Sequence, residues 1–392
     1  ANALAAADDL FATPLQPGTT TAISLLGNDT LNGTAVTPAG VSLALNGAPA
    51  SITANAAGQL QVAAGAASGA FTFSYEICEL PGATNCATAN VQLVIAPDAV
   101  DDSFTATAGV ALGGSVAGND NVPAGSQFSL LAGAAHGTVS VAADGGFSYT
   151  AQGTYSGADS FRYQVCLPAP NGGICDAATV TLNVAVAAVV AGNDDFTAAP
   201  VPGTGGTTAS VLANDTLNGV AIDAAQATLS LINAPPAGFT LAPTGELQVP
   251  AGAPAGPLSL TYQLCQAGTS NCATATIAVV IAPQAVADSF TTQVGRAVSG
   301  NVSVNDRVAA GSTYAVTGTA PQGLVFNADG SFTYTPPAQF TGTTTFSYQA
   351  CLAAPFNTVC STATATINVN AGTLAANDDD FRGSLLNPAT GG

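Results

Sequence analysis

Lysine, methionine and tryptophan are absent from this 392-residue chain, and histidine occurs once. The only bases are Arg162, Arg296, Arg307 and Arg382, against 23 acidic residues. Phosphate neutralisation needs clustered Lys and Arg, so nucleic acid is excluded as a partner, and attraction to an anionic membrane surface with it. No apolar run reaches the roughly 18–20 residues of a spanning helix. The longest candidate, Val184 to Ala191, is far shorter and rich in Val, so membrane insertion is not expected. Helical periodicity is missing throughout. The lack of any Met, an initiator included, suggests a processed N-terminus. Ala1-Asn2-Ala3 suits the mature side of a signal-peptidase cut, with the signal itself outside this sequence.

The same shortages remove most enzyme classes. Nucleophilic catalysis lacks a base, since there is no Lys and the lone His136 can form neither a triad nor a multi-His metal site. His136 reads as an exposed turn residue. The only Glu residues are Glu76, Glu79 and Glu246, and nothing marks the cleft of facing carboxylates that glycoside hydrolysis requires. No catalytic residue is expected. Charged residues are only 7% of the chain, against roughly 25% in an ordinary soluble domain. A surface of small polar and small apolar groups, with little charge to hold neighbours apart, suits packing against copies of itself.

What is present is repetition. Residues 329–351 read as a turn at Asp329-Gly330, a strand with Phe332 and Tyr334 on one face, a bend at Phe340-Thr341-Gly342, and a second strand with Phe346, Tyr348 and Ala350 on one face. This predicts two antiparallel strands of a sandwich joined by a corner. The pattern recurs at 144–166, with shorter echoes at Phe71–Cys78 and Leu258–Cys265. Each unit opens on acidic residues before Phe: Asp8-Asp9-Leu10-Phe11, Asp101-Asp102-Ser103-Phe104, Asp194-Asp195-Phe196 and Asp288-Ser289-Phe290. These Phe residues are 93, 92 and 94 positions apart, so the chain holds four units. An Asn-Asp pair then closes what reads as a short apolar strand, as in Leu25-Leu26-Gly27-Asn28-Asp29 and Val211-Leu212-Ala213-Asn214-Asp215. The first and third units share Asn-Asp-Thr-Leu-Asn-Gly, and the second and fourth share the Asp-Gly hairpin, so the order is ABAB. Tyr75, Tyr163, Tyr262 and Tyr348 recur at one strand position, which predicts a core or corner role rather than a sugar-stacking platform.

The eight cysteines form four close pairs, one per unit: Cys78/Cys86, Cys166/Cys175, Cys265/Cys272 and Cys351/Cys360. Eight cysteines allow about a hundred connectivities. One pair per unit makes local disulfides the expectation, and they imply an oxidising compartment. A zinc site is poorly supported, since no second pair or His lies nearby in sequence. The joins Ile95–Val100 and Ile281–Val286 leave almost no linker, which predicts a stiff rod rather than flexible beads.

Two further readings concern assembly and cofactors. Ala375-Ala376-Asn377-Asp378-Asp379-Asp380-Phe381 repeats the opening of a unit, and the chain stops at Gly392. Either the polypeptide continues or the end frays, or residues 372–392 are an orphan strand that docks on another copy through Asp379, Asp380, Phe381, Leu385 and Leu386. Calcium needs about six to eight oxygens. Asp8, Asp9 and Asp29, with Asp101, Asp102 and Asp120, are its candidates if they converge near a domain junction; solvated turns and loop caps are the alternative.

At the Asp-Gly-x-Phe-x-Tyr-Thr-Pro, Phe-x-Gly and Ser-Phe-x-Tyr segments, with the Asp-Asp-x-Phe openings and Val-Leu-Ala-Asn-Asp (211–215), the chain resembles the bacterial cadherin-like or tandem-95 (VCBS-type) Ig-like repeats. The resemblance implies an all-β fold of tandem Ig-like sandwiches in long secreted or surface proteins. The expected domains are residues 1–97, 98–189, 190–283 and 284–371, followed by the tail at 372–392. The expected function is an extracellular structural subunit whose partner is itself, joined head-to-tail as a homopolymer. The alternative is the stalk of a larger adhesin whose binding tip lies elsewhere. Acceptor sequons for glycans stand at Asn28-Asp29-Thr30 and Asn214-Asp215-Thr216.

Overall fold

Residues 2–372 are described by the computed structural model of the chain. They are all-β, with only short 3₁₀ turns besides strands. The chain divides into two halves, Ala1–Ala187 and Ala188–Gly392, and each half holds two sandwiches.

The second unit shows the plan. Its larger sheet runs Asp102–Thr107, Cys175–Ala185, Gly157–Cys166, Gln127–Ala132 in spatial order. Its smaller sheet runs Leu112–Ser115, Gly146–Ala151, Gly137–Val141. The opening strand is parallel to the closing strand, with Phe104 opposite Leu182, and every other pairing is antiparallel. Alternation accounts for the burial: Phe161, Tyr163 and Val165 face inward while Ser160 and Arg162 face water. The fourth unit repeats this order with Asp288–Gln293, Cys360–Asn370, Gly342–Cys351 and Thr313–Thr317 over Val298–Asn301, Ser331–Tyr334 and Leu324–Phe326.

The first and third units keep the two sheets and add a third. In the first, Leu4–Ala5, Thr30–Leu31 and Thr34–Ala35 form a small sheet; in the third, Val189–Val190, Thr216–Leu217 and Val220–Ala221 do the same. The shared Asn-Gly makes this possible. Asn32 and Gly33 have φ of 55° and 76°, and Asn218 and Gly219 have 53° and 75°, as a two-residue hairpin turn between right-twisted strands demands. In these units the opening strand that joins the large sheet is short, Asp9–Leu10 and Asp194–Asp195, against six residues in the second and fourth.

One expectation is corrected. The segments before Asn-Asp are not strands in any unit: Leu25–Asn28, Val211–Asn214 and Val302–Val304 are 3₁₀ turns, and Val116–Asp120 is a turn. Ser24 and Ser210 cap the first two, each hydroxyl accepting the backbone N–H two residues on. The tight turn drops Leu25, Val116, Val211 and Val302 into the core at 0% exposure. The two strands of residues 329–351 belong to one sandwich and are joined by a corner, as expected. Ser331–Tyr334 lies in the small sheet and Gly342–Cys351 in the large one, so the corner between them carries the chain across the sandwich.

All four disulfides are local, Cys78–Cys86, Cys166–Cys175, Cys265–Cys272 and Cys351–Cys360. Each joins directly opposed residues at the end of the hairpin that forms the middle of the large sheet.

Candidate functional site

One constellation occurs four times, where the opening segment of a unit meets its core. The recurrent tyrosine is buried to the ring, at 0% exposure in all four units. Its hydroxyl reaches the Asp of Asn-Asp: Tyr75 to Asp29 at 2.8 Å, Tyr163 to Asp120 at 2.9 Å, Tyr262 to Asp215 at 3.0 Å and Tyr348 to Asp306 at 3.1 Å. It also lies beside a carbonyl of the opening segment, from Ala7, Val100, Gly192 and Val286. The backbone N–H of each of those residues donates to the same Asp, at 2.6–2.9 Å. The neighbouring Asn amide holds the same segment: Asn28 and Asn119 donate to carbonyls there at 3.2 Å, Asn214 at 2.9 Å and Asn305 at 3.1 Å. The Asn-Asp pair is thus a clip that fastens the unit's first residues to its tyrosine.

A second carboxyl faces each clip, from Asp9, Asp102, Asp194 and Asp288 on the opening strands. Tyr348 reaches Asp288 at 2.9 Å as well as Asp306. Burial, reinforced by the Asp29 charge, pushes the Asp9 carboxyl up to about 6, with Tyr75 and Asn28 as opposing donors. Burial and Asp215 do the same to Asp194, again to about 6. Asp102 and Asp288 are raised for the same first reason. The tyrosines are pushed upward by burial and by the carboxylates they face, so they remain donors at any physiological pH. Oδ2 of Asp9, Asp29, Asp102 and Asp194 is buried without a hydrogen-bond partner.

The calcium candidates divide accordingly. Asp9 meets Asp29, and Asp102 meets Asp120. Asp8 is turned to the closing strand and accepts from the Asn90 N–H at 2.8 Å, and Asp101 accepts from Thr179 N–H at 2.7 Å. The tyrosine hydroxyl donates into this cluster of oxygens, Tyr75 lying within 3.2 Å of Asp29 and of the Ala7 and Leu25 carbonyls. The arrangement suits a shared proton. Among the described residues one trio of metal-type side chains comes together, Glu76, Cys78 and Cys86, and its sulfurs are committed to a disulfide. Asp379, Asp380, Phe381, Leu385 and Leu386 lie outside the described residues.

His136 is an exposed turn residue, stacked on Tyr155 at 4.0 Å with Nδ1 3.7 Å from Asp159. Burial raises the Asp159 carboxyl, but donors from Tyr149, Ser160, His136 and Ala135 outweigh it and hold it below the usual carboxylate range. The open hollows around Pro123 and around Gly113 carry one ionisable side chain between them, Asp144. No helix among the described residues is long and apolar enough to cross a membrane.

The sequence reading missed the clip. Its signal was there: Tyr stands three residues before the first Cys in every unit, always accompanied by an Asn-Asp and an acidic opening.

Residues 95–183 and 281–370 match the family model of the bacterial Ig domain. These two stretches, a little under half of the chain, are similar to bacterial Ig domains. They correspond to the second and fourth sandwiches, and the first and third repeat the strand order and clip of these two with the added small sheet. No curated protein matches the chain. Among solved structures, Drosophila N-cadherin EC1-4 is 10% identical over 94% of this chain and 100% of that one, with a TM-score of 0.25. Mouse cadherin-23 EC22-24 is 14% identical over 71% of this chain and 99% of that one, at 0.23. An endo-fucoidan hydrolase of glycoside hydrolase family 107 scores 0.23 at 15% identity, over 71% of this chain and 44% of that one. Scores this low carry no argument about function. The bacterial Ig fold itself is typical of structural and adhesion proteins rather than of enzymes.

Proposed function

We propose that the chain is a secreted structural protein, the subunit of an extracellular filament or surface layer that grows head-to-tail from Ig-like rods. The domains are residues 1–97, 98–189, 190–283 and 284–371, and the tail at 372–392 supplies the joint by strand addition. The observation that carries this reading is the return of the opening signal at Asn377–Phe381 after four complete units. A low-charge surface supports it, with charged residues at only 7%.

Stiffness within each half is a second support. In the first half, Asp98 at the join forms a backbone bridge to Asn121 of the same unit, and Asn121 spans to the first unit, its side chain donating to the Ala66 carbonyl at 2.6 Å and its own carbonyl accepting from Ser68 at 2.6 Å. In the second half, Gln284 at the join forms the same bridge to Arg307, whose guanidinium lies over Gly252 of the preceding unit. A join pinned from both sides resists bending, as a load-transmitting subunit requires.

The second reading is a stalk segment of a larger adhesin, favoured by the same opening signal if it begins a further repeat. Negative-stain electron microscopy of the purified native protein, without reductant, separates the two. Long uniform filaments establish self-assembly, and separate short rods at high concentration refute it.

A further inference from the structure

We infer that the segment from Leu374 to Leu385 takes the seat of residues 4–15 in the first unit of a second copy of this chain. This deepens the proposed head-to-tail assembly and rests on it. The seat is defined by what it asks of each position. Leu4 and Ala5 pair antiparallel with Leu31 and Thr30, and Leu4 packs against the core. Position 7 gives its N–H to Asp29. Position 8 supplies an acceptor for the Asn90 N–H, and position 9 supplies the carboxyl beside Tyr75. Phe11 is buried at 7% exposure and its N–H donates to Gln92 O at 2.9 Å. Leu15 bridges to Ile95 in parallel, with its N–H on Val94 O at 2.8 Å. Leu10 is the free position, 75% exposed.

The tail meets these demands in one register. Leu374 falls at position 4, Asp378 at 8, Asp379 at 9, Phe381 at 11 and Leu385 at 15, while Asp380 falls at the free position 10. The spacing also chooses between the two seats of this kind. In the third unit the bridging residue is Val201, five positions after Phe196; in the first it is Leu15, four after Phe11. Leu385 is four after Phe381, so the tail has the first unit's register. A one-residue slip turns every side chain to the wrong face, so this spacing is a strong discriminator.

The tail offers the resident strand's side-chain types at positions 4, 8, 9, 11 and 15. Exchange is then close to neutral, and the resident keeps the seat mainly through its tether, an effective concentration in the millimolar range. Weakening the resident alone shifts the seat toward the tail of another copy.

The test uses the full chain carrying Gln92→Cys, whose residue 92 is exposed and opposite position 10. The probe is a synthetic peptide of residues 373–387 with Asp380→Cys. Under mild oxidation, mass spectrometry is expected to find a peptide adduct at residue 92, and about tenfold or more adduct when Phe11→Ala is added. The control chain carries Asn183→Cys, exposed on the closing strand of the second unit, and is expected to stay unlabelled. Labelling at 92 no greater than at 183, with Phe11→Ala present or absent, overturns the inference. Filaments by negative stain without the adduct mean that the seat is wrong and the assembly reading stands; an adduct without filaments means the reverse.

Discussion

Replacing Asp9 by Asn is the most direct probe of the clip. In the folded first unit the Asp9 carboxyl is pushed up to about 6 from an ordinary 3.8, chiefly by burial and then by the charge of Asp29. A group with a raised folded pKa binds its proton first in the folded state. Its effect on stability is therefore favourable below the window and is lost as pH rises through it, here between about pH 4 and 6. The full gap corresponds to about 3 kcal/mol at 1.36 kcal/mol per unit. The cluster is partly open to solvent, and Asp29 titrates with it, so about 1 kcal/mol is the expectation. Asn removes the charge at every pH and brings an amide donor to a cluster in which Asp29 Oδ2 has no partner. By differential scanning calorimetry at pH 7, Asp9→Asn should raise the transition of the first unit by about 4–8 °C, the shift expected for 1 kcal/mol in a domain of this size. At pH 4.5 the gain should vanish. The native protein should itself melt higher at pH 4.5 than at pH 7. Asp159 does not interfere, because its lowered pKa contributes stability that is lost only as pH falls below the ordinary carboxylate range. A lower transition for Asp9→Asn at pH 7, or a native transition indifferent to pH between 4.5 and 7, would refute the shared-proton account.

The remaining predictions address the other parts of the molecule. Tyr163→Phe removes the hydroxyl that faces Asp120 and should destabilise the second unit by about 1–3 kcal/mol in urea melts, whereas Tyr155→Phe, on the exposed His136 stack, should change little. Reduction of the four bridges should cost each unit about 2–3 kcal/mol, read as a lower denaturation midpoint, since each closes a short loop. A few millimolar calcium, which saturates weak extracellular modules, should leave the melting profile where chelator leaves it; a clear rise would reinstate Asp8, Asp9 and Asp29 as ligands. Asn121→Ala should loosen the join of the first two units, seen by small-angle scattering of the full chain as a broader distance distribution.

The repeat count, the alternating strands and the local disulfides were legible because each is written in short-range spacing: period two along Phe346, Tyr348 and Ala350, and one close cysteine pair per unit. The 3₁₀ turns were not. Leu25-Leu26 is apolar enough for a strand, and what bends it is the Ser24 hydroxyl accepting from Leu26 N–H. The clip was hidden for a different reason. Tyr75, Asp29 and Asp9 are separated by dozens of residues and meet only because the opening strand lies parallel to the closing one. Asp8 and Asp9 are adjacent in sequence, yet the pleat sends one to Asn90 and the other to Tyr75, a division that spacing alone does not reveal.

That parallel pairing also has a mechanical meaning. When the first and last strands of a unit lie side by side and point the same way, tension on the chain ends drags them past each other. The ladder between them is then loaded in shear, with its bonds sharing the force rather than opening one after another. The second and fourth units present six-residue ladders to such a load, from Asp102 opposite Val180 to Thr107 opposite Ala185, and from Asp288 opposite Ala365 to Gln293 opposite Asn370. The first and third present two-residue ladders and a separate bridge. A pulled chain should therefore yield at its first and third units while the second and fourth hold, so that alternate units act as extensible fuses between stiffer ones.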